Sequence, residues 1–261
     1  MLTIKNLYFQ HNENPLLNDI DLQLDKGDLL TILGGNGRGK STLLNCIAGL
    51  LKPKSGEILL NGRNLQTLSP QDIAKQIAYV SQQSPETYQY EVRDYVVLGR
   101  AAHVGIFGKP QKADYQAVEQ ALEKLGIAEL NRRIYMHLSG GQKQLVNIAK
   151  ILVQQPELIL FDEPTSALDY GNVFKTLTLI KELSEQHFSI IMTTHNPDHP
   201  MLLYSKLPHS KVAILNSRGK LEVGRADEII TEANLNALYQ TELKLVYVNE
   251  LGRRICGIKQ I

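Results

Sequence analysis

The sequence predicts an α/β protein: a mostly parallel β-sheet flanked by helices, with an α-helical segment inserted in the middle. Three observations predict it. Before Gln82 and again after Pro156, short apolar runs alternate with helical patterns, and strands joined through helices form parallel sheets. From about Gln83 to Val153 helical patterns dominate, as an insertion into that body would. The apolar run Leu29–Leu33 opens onto a glycine-rich segment followed by a helix.

The elements follow in order. The first 33 residues read as strands. Between Leu17 and Leu24, Ile20, Leu22 and Leu24 share one face while Asp19, Asp21 and Gln23 share the other, which is the alternation of a half-buried strand. Lys26-Gly27-Asp28 reads as a turn, and Leu29–Leu33 as a short buried strand. Leu43, Leu44, Ile47, Ala48 and Leu51 mark a helix closed by Pro53 and Gly56. Short strands follow at Glu57–Leu60 and Ile77–Val80. Helices are expected over Val92–Gly99, Ala113–Leu125 and Gly140–Val153, the second with Val118, Ala121, Leu122 and Leu125 on one face. Strands at Leu158–Asp162 and Ile190–Thr193 enclose a helix around Val173, Leu177, Ile180 and Leu183. The last thirty residues read as a helix near Leu235–Tyr239 and two strand-like runs, Leu243–Val248 and Arg253–Ile258. The expected organisation is a single domain over 1–261. Its core takes residues 1–83 and 156–230, its helical subdomain 84–155, and a C-terminal extension 231–261.

Composition narrows the function classes. The 261 residues carry 28 Lys+Arg against 27 Asp+Glu, with 43% hydrophobic and 21% charged residues. That is globular composition, with too much apolar content and too little net charge for disorder. The net charge of +1 removes the basic excess typical of a nucleic-acid binder, leaving only a local patch possible. Cys46 and Cys256 are too few for a four-ligand zinc cluster and do not suggest a disulfide framework. A reducing compartment is therefore expected. The start MLTIKNLYFQ lacks signal-peptide features. No apolar run approaches the 18 or more residues of a membrane span, so work at a membrane would need a partner.

Three motifs carry the chemistry. Gly34-Gly35-Asn36-Gly37-Arg38-Gly39-Lys40-Ser41 has the spacing GxxxxGK[ST] of a phosphate-binding loop, and Thr42 continues it into the helix. Glycines let backbone N–H groups curl around phosphate oxygens, and the helix N-terminus adds its positive end. Lys40 would reach the β- and γ-phosphates of ATP and Ser41 would ligate Mg²⁺. A chance match in such a chain is roughly one in a hundred. Leu158-Ile159-Leu160-Phe161-Asp162-Glu163 then sets two carboxylates at the carboxyl edge of the sheet. Asp162 would hold Mg²⁺, through water, and Glu163 would take or polarise the proton of an attacking water. Alone, this pattern also fits a buried strand ending in an acidic turn. Leu138-Ser139-Gly140-Gly141-Gln142 begins 98 residues after Lys40. It reads as a second anion nest at a helix N-terminus, and as an ordinary capped helix start at Ser139.

This third motif, with the other two, resembles the signature of ABC ATPases; its chance occurrence is on the order of one in a few thousand. The resemblance covers about residues 1–230 and implies a P-loop NTPase (RecA-like) core with an antiparallel β edge and an inserted α-helical subdomain, carrying ATP and Mg²⁺. It implies a head-to-tail homodimer in which Ser139, Gly140, Gly141 and Gln142 of one copy face the phosphate loop of the other. Gln82 resembles the glutamine that senses Mg²⁺ and the attacking water. Ser166-Ala167-Leu168-Asp169 resembles the loop touching the partner copy, and His195 the switch histidine at the γ-phosphate. A metal pair of His195 with His199 is the alternative there, but Pro197 and Pro200 work against a shared helix face. Some positions depart from the family pattern. His11 falls where an aromatic usually stacks on adenine, with Tyr8 and Phe9 nearby. Asn196 stands where Asp is common, and Lys143 and Leu145 replace more usual Arg residues.

With one nucleotide-binding set, no coiled coil and no fused span, the chain resembles a separate importer ATPase subunit. The segment Tyr90–Arg100, with Gly105–Pro110, resembles importers of metal chelates (ferric siderophores, haem, cobalamin) and related molybdate or tungstate systems. The resemblance implies permease subunits docking near residues 82–107 and a periplasmic binding protein acting indirectly. It places the chain on the cytoplasmic face of the inner membrane and implies no nucleic acid. In the plainer reading Val92, Val96 and Val97 simply pack the helical subdomain. An exporter ATPase, a nucleotide-gated regulatory module and a nucleic-acid-associated ABC factor are the alternatives.

Overall fold

The computed structural model describes residues 1–12, 14–81, 89–105, 108–166 and 168–259. Its central sheet has six strands: β3 (Leu29–Leu33), β6 (Ile77–Val80), β7 (Leu158–Phe161), β8 (Ser189–Thr194), β9 (Lys211–Leu215) and β10 (Leu221–Arg225). Their spatial order is β10-β9-β3-β8-β7-β6. All neighbouring pairs are parallel except β9–β10. Every residue of β3 is buried, as befits a strand covered on both faces. A second sheet, in the order β2-β1-β4-β5, is antiparallel; it holds β1 (Leu2–His11), β2 (Asn14–Leu24), β4 (Ser55–Leu60) and β5 (Arg63–Asn64). The alternation read between Leu17 and Leu24 holds from Ile20 onward. Leu17 also faces inward, because Asp19 takes φ 56 and bulges the strand.

Helix α1 (Lys40–Ile47) sits between these sheets, with Leu43, Leu44 and Ile47 in a core shared with Leu2, Leu22, Ile32 and Leu158. It stops earlier than the sequence pattern suggested. Gly49 adopts φ 71 and closes the turn onto Cys46, a conformation that costs glycine least. Leu50 and Leu51 consequently lie exposed. On the other side of the sheet, α6 (Gly140–Gln154) and α7 (Tyr170–Glu185) bury Ile148, Ile151, Leu177, Ile180 and Leu183 against Ile159, Phe161 and Ile190.

The helices of the middle segment are α3 (Val92–Val97), α4 (Ala101–Val104), α5 (Lys112–Lys124) and α6. Their core contains Val92, Val96, Val97, Val118, Leu122 and Val146. The valines after Tyr90 are therefore packing residues, as the plainer reading held. Arg100 is structural too: it pairs with Asp114 at 2.9 Å and donates to the Val153 carbonyl. Because α6 turns Ala149 and Val153 to this core and Ile148 and Ile151 to the sheet, it couples the two packing units.

Two helices form beyond those the sequence pattern predicts. Helix α2 (Pro70–Gln76) follows an N-capping Ser69 with Pro at its first position, a start signal. Helix α8 (Asp198–Lys206) forms with Pro200 inside its first turn, where proline lacks only an N–H that the helix would leave unpaired. The prolines thus do not prevent a helix there. The extension expected at 231–261 consists of α10 (Glu232–Tyr239) and the hairpin of β11 (Leu243–Val248) and β12 (Arg253–Ile258). With α9 (Ala226–Ile229) it packs on the body: Leu235, Leu238 and Leu243 join Leu33, Met201, Val212 and Ile214 in one buried cluster.

Candidate nucleotide-binding site

The topology brings the chemistry-bearing loops to one edge. Strand β3 delivers the loop 34–39, β7 delivers Asp162 and Glu163, and β8 delivers His195. All lie at the carboxyl ends of parallel strands, where open α/β sheets bind ligands. A cavity of about 490 Å³ is lined there by Leu16, the loop residues Asn36 to Thr42, Glu163, Ser166 and His195. Gly37 and Gly39 take φ 71 and 95, so the loop can curl before α1 begins at Lys40.

The ion pair at the centre is short and buried. Lys40 Nζ lies 3.0 Å from Glu163 Oε1, and the side chains are only 5% and 11% exposed. The same ammonium donates to the carbonyls of Gly34 at 2.8 Å and Gly35 at 3.1 Å. Its three donors are therefore all engaged. His195 Nδ1 lies 3.2 Å from Glu163 Oε2. Burial alone would raise the Glu163 carboxyl, but Lys40 and then His195 outweigh it and hold it below the ordinary carboxylate value.

Asp162 is held by groups that sequence reading missed. Thr193 Oγ donates to its Oδ1 at 2.7 Å, and the Tyr79 hydroxyl donates to its Oδ2 at 3.1 Å. Thr193 Oγ1 also accepts from the Glu163 backbone N–H. One threonine on β8 thus holds the Asp162 carboxylate and the Glu163 backbone just past the end of β7, with Glu163 at a left-handed φ of 48. Burial and the adjacent Asp162 push the Tyr79 phenol up, so it remains a donor. The available signal was the pair Thr193-Thr194 closing a buried strand after the apolar run Ile190-Ile191-Met192.

Ser139 and the residues after it form a well-made helix start. The Ser139 hydroxyl accepts from the Gln142 N–H, and the Gln142 side chain accepts from the Ser139 N–H, a reciprocal capping box. Ser139 and Gly140 are exposed, and neither lines the cavity around Lys40. Gly141 lies against the Asn172 side chain, which Asp169 holds while capping α7. Gln82 and Ala167 lie outside the described residues. His11 is exposed at the end of β1 and is not among the cavity's lining residues, whereas Leu16 is. Phe9 packs against the core, and the Tyr8 hydroxyl bonds to Gln10.

His199 differs from His195. It lies in the first turn of α8, and its Nδ1 meets the hydroxyls of Thr194 at 3.0 Å and Thr165 at 3.3 Å. Burial pushes its imidazole down to about 4, opposed by Asp198 and assisted by His195. Its folded value lies below its unfolded one. The unfolded chain therefore takes up a proton first as pH falls, and stability declines between about 6.5 and about 4. Urea unfolding at several pH values should show this loss. His199→Gln is expected to flatten it by on the order of 2 kcal/mol.

Together, the β3–loop–α1 unit and the carboxylates after β7 define a nucleoside-triphosphate-binding protein of the P-loop class. Residues 17–166 match the ABC transporter family. The chain is 36% identical over 240 residues to the molybdate import ATP-binding protein MolC of Haemophilus influenzae, covering 91% of this chain and 87% of that one. It is 31% identical over 256 residues to the iron(3+)-hydroxamate import ATP-binding protein FhuC of Bacillus subtilis, covering 98% and 93%. A chain from an inward-facing structure of a metal-chelate type ABC transporter superposes with a TM-score of 0.84 at 32% identity, over 99% of this chain and 97% of that one. This chain belongs to the ABC transporter ATP-binding family, and it is an ATP-binding subunit with ATPase activity. No helix among the described residues is long and apolar enough to cross a membrane.

Proposed function

We propose that this chain powers import of a metal chelate or an oxyanion through a separate permease. The observation that carries the reading is the convergence of Lys40, Glu163 and His195 on one cavity beside the phosphate loop. The names of MolC and FhuC and the metal-chelate type transporter structure support the substrate class.

The donor set suits a triphosphate. The loop residues Gly35, Asn36, Gly37, Arg38 and Gly39 supply backbone N–H groups and Lys40 supplies a cation; Gly34, placed at the phosphates by the sequence, instead donates its N–H to the Thr194 carbonyl at 3.3 Å and holds Lys40 through its own carbonyl. Ser41, Asp162 and Gln82 offer the oxygen ligands that Mg²⁺ prefers. Bound there, Mg²⁺ would supply positive charge to phosphate oxygens. Because Lys40 has no spare donor, contact with a phosphate requires it to give up a present partner. Glu163 is the partner that the incoming anion replaces. Its carboxylate then loses the neighbour that depresses it most, and burial makes it a stronger base for the attacking water. His195 stays beside it at the γ-phosphate position, and Thr193 keeps the Asp162 carboxylate and the Glu163 backbone in place.

A single copy does not complete this arrangement, since Ser139 stands away from the cavity. In a homodimer Ser139, Gly140, Gly141 and Gln142 of one copy would face the phosphates held by the other, with Asp169 beside the joint. Tyr170 and Phe174, 96% and 65% exposed one turn apart on α7, suit burial in such an interface. His11 is the proposed aromatic contact for adenine. Permease docking is assigned to residues 82–107, where Tyr90 and Leu98 are exposed beside the packed valines. A periplasmic binding protein would select the substrate, and the chain would work at the cytoplasmic face of the inner membrane.

Purification of the tagged chain from detergent-solubilised membranes tests this reading. A polytopic membrane protein should co-elute, and proteoliposomes of the complex should accumulate a ferric chelate or molybdate only with ATP inside the ATPase compartment. Co-elution with ribosomes or DNA and no membrane protein would contradict it.

A further inference from the structure

We propose that Tyr239 is a positioning residue for His195, through which the C-terminal extension sets the rate of ATP hydrolysis. The inference rests on the reading of His195 as the histidine at the γ-phosphate. His195 lies just past the end of β8, with its ring half exposed. Its backbone carbonyl accepts a 2.6 Å hydrogen bond from the Tyr239 hydroxyl. A continuous line of polar contacts therefore runs from Tyr239 to His195, Glu163 and Lys40.

The extension holds the same segment at a second point. The Cys256 N–H of β12 donates to Asp198 Oδ1 at 3.0 Å, and the Arg253 guanidinium lies 3.9 Å from that oxygen. Asp198 is tied back by its own N–H to the Asn196 side chain. Residues 195 to 198 are thus gripped at both ends by elements that belong to neither the sheet nor the phosphate loop. The grip is firm, because α10 is seated by Leu235 and Leu238 in a cluster with Leu33 of β3. Leu33 immediately precedes the phosphate loop, so the same helix braces both sides of the cavity. The Tyr239 phenol is raised above its ordinary value by burial, with Cys256 and Glu163 adding to it. It therefore keeps its donor proton at neutral pH.

Tyr239→Phe removes only the hydroxyl. In the full chain it is expected to lower kcat for ATP about fivefold, leaving KM for ATP unchanged. Loss through His195 predicts that Tyr239→Phe has no further effect in a His195→Ala background, read by single-turnover hydrolysis followed for hours. Asp198→Ala should reproduce the kcat loss, and Asp198→Asn, which keeps an acceptor, should largely restore it. A wild-type kcat in Tyr239→Phe overturns the proposal, and so does the same fold loss in the His195→Ala background. A wild-type rate in His195→Ala alone would instead overturn the role of His195 itself, and that outcome is read without any Tyr239 variant.

Discussion

Glu163→Gln is expected to lower kcat for ATP hydrolysis by at least ~10²-fold while ATP binding persists. The amide keeps the size of the side chain but cannot take a proton from water. It also removes the charge that engages Lys40 at 3.0 Å. Lys40 is then free of its anionic partner, so ATP should bind at least as tightly as in the wild type. The trapped complex should be a stable dimer, because the bridging phosphate is never cleaved. Phosphate release together with sedimentation in ATP and Mg²⁺ checks both halves. Wild-type turnover would show that Glu163 is not the base.

Lys40→Ala should abolish measurable hydrolysis and weaken ATP binding by roughly 10²-fold, the scale of losing one charged donor from a preorganised anion site. It should also change the nucleotide-free protein. Glu163 is 11% exposed and loses its main cationic partner, so burial drives its carboxyl upward. In the wild type the depressed carboxyl contributes stability above the ordinary value of 4.5, and this is lost as pH falls through the lower folded value. The Tm deficit of Lys40→Ala is therefore expected to be largest near neutrality and to shrink in acid. Calorimetry across that range checks the sign; a deficit that grows on acidification would contradict the placement of this pair.

What was legible in the sequence was what is local. The loop 34–41, the acidic end of β7 and the capped helix start at Ser139 are contiguous, and their backbone requirements are written in glycines and caps. Strand and helix types were readable for the same reason, from Ile77–Val80 through Leu243–Val248 to Arg253–Ile258, each of which forms the strand expected. The antiparallel pairing of β1 with β2 was implied only by the resemblance. Contacts between distant segments were not legible. Thr193 reaches Asp162 across 31 positions, Tyr79 across 83, and Tyr239 meets His195 across 44. Nothing in a threonine or tyrosine's immediate neighbours announces such a partner; the strand order β8-β7-β6 brings Thr193 and Tyr79 to Asp162, and the seating of α10 brings Tyr239 to His195. The early end of α1 was missed for a smaller reason. Leu51 continued the helical spacing, while Gly49 broke the backbone before the spacing could matter.

In a single copy Ser139 does not line the cavity around Lys40, so the proposed site is completed by the signature of a second copy. Mixing two inactive variants tests it most directly. Lys40→Ala spoils the phosphate loop and leaves the signature intact, and Ser139→Arg does the reverse. Each homodimer is dead at both sites. A mixed dimer carries one doubly spoiled site and one built from the intact loop of one copy and the intact signature of the other. Random pairing makes half the dimers mixed, so the mixture should recover up to roughly a quarter of wild-type ATPase activity. If loop and signature instead served the same copy, every site in the mixture would contain one defect. Activity that stays at the level of the separate variants would contradict the account.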